Sequence, residues 1–131
     1  DDLGKVISAA YERAGRTLDD LPYTNEYEQL WDELREPTNM GRRELFHKLH
    51  NMRKAGRLPR VGRAKSQPPK IDPAEEKALG ELVVAAAGSL GQRDRLPYTE
   101  SFDTLLESFN GQTGRSIGPH ECWRLIAKLA K

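Results

Sequence analysis

Leu21-Pro22-Tyr23-Thr24 recurs as Leu96-Pro97-Tyr98-Thr99, and the likeness runs outward from this tetrapeptide in both directions. Upstream, Leu3, Val6, Ile7, Ala10, Tyr11 and Ala14 reappear as Leu79, Leu82, Val83, Ala86, Ala87 and Leu90, both sets at the i, i+3, i+4, i+7 spacing that lines one face of a helix. Downstream, Tyr27, Leu30, Trp31 and Leu34 match Phe102, Leu105, Leu106 and Phe109. A third stripe, Leu45, Phe46, Leu49 and Met52, matches Cys122, Trp123, Ile126 and Leu129, after a turn two residues longer in the second copy. Every stripe has the helical period and none alternates over the length of a sheet strand, so the chain reads as all-α, two tandem copies of a three-helix unit. The copies are expected at residues 1–65 and 73–131, joined over 66–72 by a short, stiff linker carrying Pro68 and Pro69. The matched apolar positions of the second and third helices, Trp31 and Trp123 included, are expected to be buried, and Tyr23 and Tyr98 to be core aromatics.

The helix ends carry their own signals. Asp72, Pro73 and Glu75 stand in the order of N-cap, first-turn proline and third-position carboxylate, which together satisfy free N–H groups and oppose the helix dipole. Thr24 and Thr99 are placed to cap the second helices, whose ends Pro37 in one copy and Gly111 and Gly114 in the other should mark. The third helices start alike, at Gly41 and Gly118, with Glu44 and Glu121 three residues on and Pro119 leading the second.

At 131 residues, 37% apolar and 31% charged, the chain has room for small helical units and a modest core. Its longest apolar run, Leu82 to Ala87, is far short of the ~20 residues that span a bilayer. One cysteine, Cys122, cannot form an internal disulfide, and no signal peptide opens the chain, so an intracellular, cytoplasmic protein is expected. Starting at Asp1 without a methionine and ending at Lys131 within a helical pattern, the sequence reads as an excerpt of something longer. The net charge of +1 conceals a polarity: residues 1–41 carry −6, residues 42–70 carry +9 and residues 71–131 carry −2. The central block, with ten basic residues against Glu44, creates a local positive potential that attracts polyanions.

Three helices, with a short glycine-containing turn before the third, are the layout of a helix-turn-helix unit. After the third helix of the first copy comes Lys54-Ala55-Gly56-Arg57-Leu58-Pro59-Arg60-Val61-Gly62-Arg63. Over residues 3–63, and over 73–131 without this last segment, the chain resembles the helix-turn-helix and winged-helix DNA-binding domains. The resemblance implies that the third helix enters the major groove of duplex DNA and that a basic ribbon, a minimal β wing at Arg57 to Arg63, touches phosphates. Pro59 works against a strand there.

With Leu45, Phe46, Leu49 and Met52 facing the core, steps of ~100° per residue put Arg43, His47, His50, Asn51 and Lys54 on the opposite face. Arginine pairs with guanine, asparagine with adenine and lysine with phosphate, so this composition suits a groove-reading helix. Together with Arg42, Arg57, Arg60 and Arg63 these residues form the candidate nucleic-acid surface. In the second copy the matched face holds His120, Arg124, Ala127, Lys128 and Lys131; Arg124 and Lys128 there suit phosphate contact rather than base reading.

Other constellations carry less. His47 and His50 lack a third ligand at metal spacing. Cys122 falls on the core stripe, as a packing residue, and the glycines of 111–118 lack the lysine and strand of a phosphate loop. With no carboxylate pair or triad, neither enzyme activity nor a cofactor or metal is expected. The alternative to DNA binding is a protein-interaction domain using the acidic outer residues Glu12, Asp19, Asp20, Glu26, Asp32 and Glu33.

Overall fold

Each LPYT tetrapeptide folds into the same turn. Thr24 N–H donates to the Leu21 carbonyl and Thr99 N–H to that of Leu96, at 3.2 Å in both cases. Tyr23 and Tyr98 both sit at φ 65°. Proline at the second position and positive φ at the third make this a type II turn, a conformation usually left to glycine or asparagine. The threonine then begins a helix: its hydroxyl donates to the leucine carbonyl and accepts the N–H of Tyr27 (3.0 Å) or Phe102 (3.1 Å). One residue thus closes a turn and caps a helix. Tyr23 and Tyr98 are half-buried rather than core, because the turn holds them at the rim.

The computed structural model describes residues 1–129. The chain divides between Ser66 and Gln67 into two compact units. In the first, α1 (Asp2–Ala14) leads through a 3-10 turn (Leu18–Asp20) to α2 (Asn25–Thr38) and α3 (Arg42–Lys54). In the second, α4 (Pro73–Ala87), a 3-10 stretch (Leu90–Arg95), α5 (Glu100–Thr113) and α6 (Pro119–Leu129) follow in the same order. Among the described residues there is no strand, and no helix is long and apolar enough to cross a membrane.

The first core joins Ile7, Ala10 and Tyr11 of α1 to Leu30 and Leu34 of α2 and to Leu45, Phe46, Leu49 and Met52 of α3, with Tyr27 edge-on to Phe46. Leu3 and Val6, expected on the same stripe, are exposed, although Ile7 beside Val6 is 0% exposed. In the second unit Leu79, Val83, Phe102, Leu105, Phe109, Cys122, Trp123 and Ile126 are buried, while Ala86 is exposed. Trp31 and its match Leu106 are half-buried. Trp31 has the Arg42 guanidinium 3.9 Å and that of Arg35 4.7 Å from its ring centre, and its Nε1 donates to the Met40 carbonyl at 3.0 Å.

Most of the expected end signals act as read. Asp72 and Glu75 form a reciprocal capping box, and Gly41 and Gly118 N–H groups donate to Glu44 and Glu121. Pro37 and Gly111, however, lie inside their helices. Proline in a last turn forfeits one bond, and α2 ends two residues on at Asn39, whose left-handed backbone (φ 55°) returns an N–H to Arg35. Gly114 (φ 72°) ends α5 likewise. The longer turn before α6 is clipped by Asn110, whose amide donates to the Ile117 carbonyl and accepts its N–H.

Candidate nucleic-acid surface

On α3 the apolar side chains face the core, and Arg43, His47, Asn51 and Lys54 are exposed on one stripe. Asn51 Nδ2 lies 3.2 Å from His47 Nε2, so the amide and the ring present one continuous polar strip. Two residues expected on this surface behave differently. His50 is only 6% exposed: it stands ~40° past Phe46 on the helix, against the edge of the core. Its ring is 6.4 Å from that of Phe46, and its Nδ1 is 3.3 Å from Arg53 Nη2. It therefore leaves the outward stripe. Arg42 is exposed in part, but its guanidinium is spoken for, lying over Trp31 and binding both oxygens of Glu28 at 2.7–3.0 Å.

α3 ends in a compact stop. Gly56 at φ 71° donates to the Arg53 carbonyl, and Arg57 N–H reaches back to that of Met52 at 2.8 Å. This double closure fixes the direction in which the chain leaves the helix. Beyond it no wing forms: residues 57–63 contain no strand, since Pro59 has no N–H to pair and Gly62 sits at φ 92°. The segment is an irregular arch instead. Leu58, Pro59 and Val61 are half-buried while Arg57, Arg60 and Arg63 are exposed. The apolar members line a cleft of about 630 Å³ shared with Tyr11, Thr17, Leu18 and Arg53. Among the described residues, none of Arg43, Lys54, Arg57, Arg60 and Arg63 forms an ion pair.

The arch is tied down at its far end by Asp20. This carboxylate is 0% exposed. It accepts the Lys65 N–H at 2.8 Å, the Ser66 hydroxyl, and Arg16 Nη1 at 3.0 Å. Ser66 is bound into the first unit, Pro69, Lys70 and Ile71 line a cleft with Leu125, Lys128 and Leu129, and Asp72 caps α4.

The matched face of the second unit is largely lost. Arg124 is 9% exposed and Ala127 is buried, because α6 meets α4, α5 and the 3-10 stretch, with Pro69 to Ile71 alongside. Lys128 is exposed, and Lys131 lies outside the described residues. The acidic face is also thinner than expected. Asp19 and Asp20 are buried, Asp19 beside Arg53 at 3.4 Å, while Glu26 pairs with Arg16, Glu33 with Arg13 and Asp32 with Arg35.

Cys122 is buried and unpaired with any other cysteine, and burial pushes its thiol up to about 12. No group of three or more His, Cys, Asp and Glu among the described residues could hold a metal ion. Comparison with family models, curated proteins and solved structures finds no match to this chain.

Proposed function

We propose that this chain binds duplex DNA through the exposed stripe of α3 and the basic arch that follows it, in the manner of a helix-turn-helix unit. The observation that carries the reading is the set of five cations, Arg43 and Lys54 on α3 and Arg57, Arg60 and Arg63 on the arch after it, all exposed and, among the described residues, without a carboxylate partner. Unpaired guanidinium and ammonium groups held on a fixed backbone are what neutralises a row of phosphates. Asn51, in the middle of the stripe, supplies the donor and acceptor that read adenine. Arg42 and Arg53 contribute less, their charges being met by Glu28 and Asp19. Lys128 adds an isolated cation in the second unit.

Titrating a labelled random duplex at several salt concentrations tests the reading. If all five cations meet phosphates, log K falls against log salt with a slope of about −4 to −5. Alanine at Arg57, Arg60 and Arg63 together should flatten it by ~3, and Asn51→Ala should relax preference at one base by ~1–3 kcal/mol while sparing non-specific affinity. A parent protein that does not bind duplex at low salt overturns the proposal and leaves the protein-interaction reading in its place.

A further inference from the structure

We infer that Asp20 is a positioning residue for the basic surface: its buried carboxylate is the far anchor that holds Arg57, Arg60 and Arg63 beside the α3 stripe. The inference rests on the duplex-binding reading and explains how the arch keeps its shape. A segment without helix or strand has no internal ladder to fix it, yet both of its ends are fixed. At the near end, the Gly56 stop returns Arg57 N–H to Met52, and the Ser8 hydroxyl lies 3.5 Å from the Arg57 carbonyl. At the far end Asp20 receives a backbone N–H from Lys65 and a hydroxyl from Ser66. Between these points the arch stands over its cleft with Leu58, Pro59 and Val61 turned inward.

A fully buried carboxylate is costly unless several donors meet it. Here the donors come from two directions. Arg16 lies in the same local turn, whereas Lys65 and Ser66 lie 45 and 46 residues away, so the carboxylate joins the body of the unit to the exit of the arch. Fixing the arch in advance removes the backbone entropy that the segment would otherwise lose on meeting phosphate.

Asp20→Asn in the full chain, alone and combined with the Arg57/Arg60/Arg63→Ala triple variant, tests this. The expected results are faster trypsin cleavage within 57–63 under native conditions and a loss of duplex affinity of about tenfold at low salt. In the triple-alanine background the same substitution should leave affinity unchanged, since it acts only through those arginines. A purely structural role would weaken both backgrounds alike, and that additive result overturns the inference, as does unchanged cleavage or unchanged affinity in Asp20→Asn. Should Asp20→Asn not fold, Ser66→Ala removes one donor while keeping the carboxylate, and must show the same pattern at smaller amplitude. A parent protein that binds no duplex sinks the functional reading itself, a result distinct from any of these.

Discussion

A single threonine at each helix entry shows how much one side chain can decide. Thr24 and Thr99 close the type II turn and cap the following helix with the same hydroxyl, so alanine at either should cost ~1 kcal/mol, read from denaturant unfolding. The cap was legible in the sequence because it acts over three residues. The positive φ of the preceding tyrosine was not, since that conformation is usually glycine's and nothing local announces it. Cys122 gives a second test at this scale. Burial raises its thiol to about 12, which lowers the thiolate fraction near pH 8 by roughly three orders of magnitude relative to a free cysteine. A disulfide-exchange reagent should therefore leave the native protein unlabelled and modify it fully in denaturant. His50 shows the limit of periodicity: a helix wheel places it on the boundary between core and solvent, and in the structure it lies buried beside Phe46 and Arg53.

Among elements, the second unit contains an ion pair with a clear pH signature. Glu75 in the first turn of α4 receives Arg115 Nη2 at 2.9 Å from the turn before α6. That bond first, and the Asp72 N–H second, hold its carboxyl at about 2 against an ordinary 4.5. Because the folded value is the lower one, the stabilisation is complete above pH 4.5 and disappears as pH falls towards 2. Melting curves of the parent and Glu75→Gln should differ most near neutral pH and converge near pH 2. Helix order, start signals and most core positions followed from periods of three and four residues and from caps, which are local properties. The missing wing and the enclosure of α6 did not, because both depend on segments without a repeating pattern. In the arch, Pro59 and Gly62 prevent pairing; α6 packs against α4, α5 and the longer 3-10 stretch, and Arg124 is buried there.

At the scale of the whole molecule, charge is sorted along the chain more sharply than the total of +1 implies. The candidate surface draws on residues 42–63 of the first unit, whereas α6 offers Lys128 alone among its exposed residues as a cation. Lys128→Ala should accordingly change the salt slope of duplex binding by no more than ~0.9, against ~3 for the three arch arginines. Salt titrations of the two variants against the parent check this. Asp20 could not be singled out from the sequence, since the groups it binds in the arch lie some 45 residues downstream. The two tryptophans also fall one to each unit, in unlike surroundings. Trp31 is half-buried with guanidinium groups over its ring, and Trp123 is 1% exposed. The chain thus carries two intrinsic optical labels: a neutral collisional quencher such as acrylamide should reach the first and spare the second, so that the emission surviving quenching follows the second unit and the quenchable fraction follows the first.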